Sequence, residues 1–192
     1  MSRELVYPFG EETVRSLEVG EMVRISGRLV TGRDRLHKHL FEGGTCPVDL
    51  RDGALYHCGP VALKQDGVWV ITAAGPTTSM RHEPYLADLI ARHGLRIVLG
   101  KGGMGAATRK ACEEHGCAYL HAVGGAAAVI AQCVECVEGV HFMREFGCAE
   151  AMWVLQVRGL EAVVTMDARG HSLHEDIQAT SKGVVEKLMQ GS

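Results

Sequence analysis

Arg96-Ile-Val-Leu-Gly-Lys-Gly-Gly-Met-Gly105 joins a short β-branched apolar run to a glycine-rich turn. Residues 96–99 read as a buried strand, and Met104, Ala107, Ala111 and Cys112 recur at helical spacing until Gly116 stops them. A strand passing through a glycine turn into a helix is the repeating unit of a parallel sheet covered by helices. The same unit stands upstream: residues 68–74 form a strand that closes in Gly75-Pro-Thr-Thr-Ser-Met-Arg81. Pro84 then suits the first position of a helix whose Leu86, Leu89 and Ile90 face inward and which Gly94 ends.

Working outward, residues 23–30 and 54–58 read as strands, as do 118–123, 151–157 and 162–166, the last two joined by a polar corner at Arg158-Gly159. Thr31 and Asp34 have the spacing of a capping box, which opens a helix with Leu36, Leu40 and Phe41 inward and Gly43-Gly44 at its end. Gly124-Gly125 opens an alanine-rich segment to about Val134, and Ser172 with Glu175 starts a final helix to about Met189. The expected architecture is α/β: a mixed, partly parallel sheet with packed helices, and room for a second β layer, in one domain over residues 1–192.

Composition agrees. Apolar residues make up 46% and charged residues 22% of 192, with a formal net charge of -3, so there is no basic nucleic-acid surface. The longest apolar runs fall short of a membrane span and the N-terminus lacks a signal core, so a cytoplasmic protein is expected. The seven cysteines, at 46, 58, 112, 117, 133, 136 and 148, follow no disulfide framework and read as reduced thiols; Cys133-x-x-Cys136 has no second pair near it.

The two glycine turns are the candidate site. Glycines let a backbone approach a ligand closely, and the amides opening the next helix attract negative charge. Arg33, Arg81 and Lys101 all stand near strand ends, where α/β sheets bind ligands, and three converging cations suit a dicarboxylate. Thr77 and Thr78 sit beside them, although such a pair also caps turns. Gly100, Gly102 and Gly105 fit G-x-G-x-x-G, so an NAD-binding protein is the alternative; the acid that should follow about 20 residues on is missing from His121-Ala-Val-Gly124. His37 and His39 are metal-ligand types, but i and i+2 point in different directions on a helix. Asp34 reads as structural, with an option to orient Arg33, and Asp167 as a turn residue.

Ser26-Gly-Arg-Leu-Val-Thr-Gly-Arg-Asp34 with His37-Lys38, Gly75-Pro-Thr-Thr-Ser-Met-Arg81, Gly100-Lys-Gly-Gly103, Gly124-Gly-Ala-Ala127, and Glu150-Ala-Met-Trp-Val-Leu155 with Val164-Thr-Met-Asp167 form collinear blocks. Together they resemble the β subunit of class I fumarate hydratase, equivalent to the C-terminal domain of single-chain forms and shared with the β subunit of L(+)-tartrate dehydratase. The resemblance implies a swivelling β/β/α domain and reversible hydration of fumarate to L-malate, or the tartrate counterpart. It also implies an α-subunit partner that holds a four-iron, four-sulfur cluster, in a hetero-oligomer for which a dimer of heterodimers is one arrangement. Arg33, Arg81 and Lys101 match substrate-carboxylate ligands, and Thr77 matches a proposed catalytic base. Gly32 stands where many relatives carry alanine, Glu83-Pro84 where Asp-Pro is common, and Ser79-Met80 where Ala-Gly is frequent.

Overall fold

The computed structural model describes residues 2–190. In chain order the elements are β1 (Arg3–Val6), α1 (Glu11–Arg15), β2 (Met22–Thr31), α2 (Asp34–Phe41), β3 (Ala54–Tyr56), β4 (Val61–Gln65) and β5 (Val68–Ala73). After a 3-10 turn at Ser79–His82 come α3 (Glu83–His93), β6 (Ile97–Gly100), α4 (Ala106–His115), β7 (Ala118–Ala122) and α5 (Ala127–Gln132). The chain continues with β8 (Val134–His141), α6 (Met143–Phe146), β9 (Met152–Met166) and α7 (Leu173–Gln190).

Strands β2, β3, β6 and β7 pair in parallel, β9 pairs antiparallel with β7, and β9 pairs antiparallel with β2 as well. These pairings close a ring. β1 extends it beside the first half of β2, and β8 lies antiparallel along β9. The sheet is therefore mixed and largely two-sided, as the continuous apolar runs of β3, β6 and β7 require. Alternate side chains serve two cores. Tyr56, Ile97, Leu99, Leu120, Trp153 and Leu155 belong to an inner cluster. Their neighbours Leu55, Val98, Tyr119 and Val154 join Leu36, Leu86, Leu89 and Ile90 in an outer cluster beneath the helices.

Local stop signals are where the sequence puts them. Gly94 and Gly116 end α3 and α4 in left-handed conformation at φ +63° and +66°, which glycine adopts without a Cβ penalty. Other readings need correction. The strands expected at 151–157 and 162–166 are one continuous β9, and the polar corner is a bulge. Ile25 pairs with Leu160 but Gly27 with Val157, so β9 spends one residue more than β2 across this step, with Gly159 at φ +66°. The extra residue shifts the inward set from 153, 155 and 157 to 160, 162 and 164.

Thr31 is not a helix cap. It ends β2, fully buried, and its Oγ1 accepts the Trp153 amide at 3.2 Å, while Arg33 takes the N-cap position without a side-chain cap bond. Phe41 is exposed rather than inward, and Thr108 rather than Ala107 is buried on α4. β1, β4 and β8 are strands the sequence reading misses; β4 and β5 form a hairpin through Asp66-Gly67, both at positive φ, and Trp69 on it meets Trp153 edge-on at 5.2 Å. Leu120→Ala, in the middle of the ring, is expected to cost about 2–5 kcal/mol in unfolding free energy by urea titration, because the ring cannot collapse onto the cavity.

Candidate active site

The parallel strands β2, β3 and β6 deliver their carboxyl ends to one edge, the edge where such sheets bind ligands. Arg33 and Asp34 follow β2, His57 follows β3, and Lys101 follows β6. Residues 76–79 thread between the last two: the Thr77 amide donates to the His57 carbonyl at 2.8 Å, the Ser79 amide to the Lys101 carbonyl at 3.0 Å, and Thr78 bridges to Lys101. The structure thus brings Arg33, Thr77, Arg81 and Lys101 to one edge of the sheet.

Each cation has its own support. Arg81 Nη2 donates to Thr77 Oγ1 at 3.0 Å and lies 3.2 Å from Asp34 Oδ2, so Asp34 holds Arg81 and not Arg33. Arg33 Nε lies 3.3 Å from Glu150 Oε1, too poorly aligned for a hydrogen bond. The other Glu150 oxygen accepts the Arg35 amide at 2.9 Å, which supplies the helix-end partner that Thr31 does not. A Cβ at Gly59 would fall 2.8 Å from Arg33 Cδ, so glycine there makes room for the guanidinium. Lys101 is exposed, a Cβ at Gly124 would lie 3.3 Å from its Cδ, and among the described residues no carboxylate pairs with it. With Asp34 and Glu150 set against Arg33, Arg81 and Lys101, the cradle keeps one excess positive charge.

Directly behind it lie His37, His57 and His82, all fully buried. His37 Nδ1 is 2.8 Å from the Arg33 carbonyl, His37 Nε2 is 3.2 Å from His57 Nε2, and His57 Nδ1 is 2.8 Å from Ser79 Oγ. His82 stacks on His37 at 4.2 Å, with Nε2 3.5 Å from Asp34 Oδ1. Burial keeps all three neutral: His37 is pulled down to about 4, His82 to about 3 with help from the nearby positive groups, and His57 well below its ordinary value. Their nitrogens lie within 4.8 Å of one another, which suggests a metal site. The stacking opposes it. An imidazole lone pair lies in the ring plane, and the His37 and His82 planes are inclined by only 15°, so one ion cannot lie in both. Sequence reasoning notices His37 alone; His57 and His82 give no local signal.

The glycine fingerprint has a different role from the expected one. The amides of Gly105, Ala107 and Thr108 donate to the Glu83 carboxylate at 2.7, 3.1 and 3.2 Å, and Thr108 Oγ1 adds a bond at 2.6 Å. A Cβ at Gly105 would lie 2.5 Å from Glu83 Oε1. The anion at the α4 N-terminus is therefore the chain's own, and those amides are not open to a dinucleotide pyrophosphate. This overturns the NAD reading of Gly100, Gly102 and Gly105. Asp167 is the turn residue expected, accepting the Arg169 and His171 amides at 2.9 and 3.0 Å.

Two outcomes follow from these contacts. Glu83→Ala should lower stability by about 2–3 kcal/mol, read by urea unfolding, because it orphans amides that now meet a charge. The buried histidines have folded pKa values below the unfolded 6.5, so the unfolded chain binds the extra protons as acid is added. Their contribution is complete above pH 6.5 and is lost as pH falls toward the folded values of about 4 and about 3. Unfolding free energy should drop by about 1.4 kcal/mol per pH unit per histidine, and His37→Gln should flatten the slope between pH 6 and 4.

A family model described as "Fumarase C-terminus" matches residues 4–177. A protein of Geobacillus stearothermophilus named as a class I fumarate hydratase is 54% identical over 95% of this chain, which spans only 35% of that relative's length. A Methanocaldococcus jannaschii protein named as an L(+)-tartrate dehydratase subunit beta is 36% identical over 95% of this chain and 96% of its own. The L(+)-tartrate dehydratase subunit beta of Escherichia coli K12 is 35% identical over 90% of this chain and 87% of its own. By these matches the chain belongs to the fumarase C-terminus family.

Proposed function

We propose that the chain is the β subunit of an iron-sulfur-dependent class I fumarate hydratase, a hydro-lyase that interconverts fumarate and L-malate, and that residues 1–192 form one swivelling β/β/α domain. The observation that carries this reading is the gathering of Arg33, Thr77, Arg81 and Lys101 at the carboxyl ends of β2, β3 and β6. A four-carbon diacid brings two negative charges to a cradle with one unbalanced positive charge and many unused guanidinium N–H groups. Arg33, Arg81 and Lys101 hold its carboxylates and offset the enolate-like charge that builds when the C3 proton leaves.

Thr77 takes that proton or relays it. A threonine hydroxyl is a weak base, and the Arg81 guanidinium bonded to its Oγ1 favours the deprotonated form. The cysteines do not fit a cluster: Cys112 on α4 and Cys117 are buried in the outer cluster and Cys58 in the inner one, Cys46 and Cys133 are half-buried, and Cys136 and Cys148 are exposed. On this reading, as the resemblance implies, the iron-sulfur group is held by an α-subunit partner, in a cytoplasmic hetero-oligomer such as a dimer of heterodimers, and this chain alone is inactive. A second reading, the β subunit of L(+)-tartrate dehydratase, is favoured by relatives that match along nearly their whole length.

Anaerobic assembly with the α subunit, followed by rates on fumarate, L-malate and L-tartrate, tests both readings. Faster turnover of fumarate is expected; equal or faster turnover of tartrate would replace the first reading with the second. In the same complex, Thr77→Ala should lower kcat about 100-fold or more. Arg81→Ala and Lys101→Ala should each lower kcat/KM by roughly 100- to 1,000-fold. Full activity in all three variants would remove the chemistry from this chain.

A further inference from the structure

We propose that His57 is the positioning residue of the cradle, setting the spacing of Arg33 and Lys101 through one directed chain of hydrogen bonds in which Ser79 and His37 are the intermediates, and holding Thr77 through its own carbonyl. The proposal rests on the reading of these residues as ligands of a dicarboxylate. The order of protons along the chain is fixed by its two ends. The Arg33 carbonyl can only accept, so His37 must carry its proton on Nδ1, and its Nε2, in a neutral ring, is an acceptor. His57 Nε2, 3.2 Å away, must then be the protonated nitrogen, which leaves His57 Nδ1 to accept from the Ser79 hydroxyl at 2.8 Å. Ser79 Oγ in turn accepts the Lys101 amide at 3.1 Å.

Every group between Lys101 N–H and Arg33 C=O is satisfied by this one assignment, and the chain runs in one direction. His57 adds a third connection, since its carbonyl receives the Thr77 amide at 2.8 Å. One buried residue thus holds the backbone of three of the four cradle positions, while His82 stacks on His37 and faces Asp34, the partner of Arg81. Gly100 explains its own lack of a side chain in these terms: a Cβ there would fall 1.8 Å from Ser79 Oγ and 3.0 Å from His57 Nδ1, in the middle of the link. Ser79 supplies the hydroxyl that leaves neither nitrogen of His57 without a partner.

The first measurement reads the tautomers directly and needs no substrate. Long-range proton–nitrogen correlation spectra of the full chain labelled at histidine nitrogen, at pH 7, should show His37 protonated on Nδ1 and His57 on Nε2. The opposite assignment of either ring overturns the proposal, as does equimolar binding of Zn²⁺ that His57→Ala abolishes, because His57 Nε2 would then have to be bare. The second measurement is kinetic, in the assembled complex with whichever dicarboxylate it turns over fastest. Ser79→Ala and His37→Asn should each lower kcat/KM about tenfold, chiefly through KM, on the scale of one lost buried hydrogen bond. Because both variants break the same chain, the double variant should also fall about tenfold, whereas independent structural effects would multiply to about 100-fold. Single variants within twofold of the parent, or multiplicative losses, overturn the proposal. If the parent complex turns over no dicarboxylate, the functional reading fails while the tautomer result still judges the chain.

Discussion

Strand β9 has to find hydrogen-bond partners along both edges, and the molecule is arranged around that demand. One edge meets β2 and the other is shared by β8 and β7, which turns an open sheet into a closed ring. Closure removes most free edges and buries both faces of β3 and β6. The bulge at Arg158-Gly159 falls where β9 has left β8 and has not yet met β7. The parallel half of the ring is what aims β2, β3 and β6 at a common edge, so the geometry of the cradle is inherited from the closure.

That edge carries charge at modest desolvation cost. Arg81 rests against Asp34, whose side chain is 43% exposed, Arg33 rests against the more buried Glu150 at 19%, and only Lys101 stands without such a neighbour among the described residues. The polar groups directly behind are neutral imidazoles rather than further ions. This arrangement avoids burying like charges next to the guanidinium groups, and the depressed pKa values of His37, His57 and His82 are the measure of how unfavourable a buried positive charge would be there.

The legible parts of the sequence are those with local causes. Helices α3 and α4 and strands β6 and β7 are readable because the apolar spacing, Pro84, Gly94 and Gly116 act within a few residues. The four cradle residues are readable because each follows, or lies just beyond, a strand end. What escapes is long-range. β8 is half exposed and lacks a clean alternation, and the bulge at Gly159 is invisible without β2 beside it. Thr31 mimics a cap because Trp153, its actual partner, is remote in sequence. His57 and His82 look unremarkable until the fold stacks them on His37. Asp66-Gly67 is different: it is a local hairpin signal that the exposed, partly polar character of β4 obscures.

Glu83 links two pieces of the molecule that sequence treats as separate. It opens α3, which follows directly from Thr77 and Arg81, and its carboxylate grips the start of α4, which follows Lys101. Neither segment can shift without leaving a charge and several amides stranded from each other. On the proposed function, an incoming diacid meets a surface whose two halves are already tied together by Glu83, and little of its interaction energy is diverted into ordering the loops that receive it.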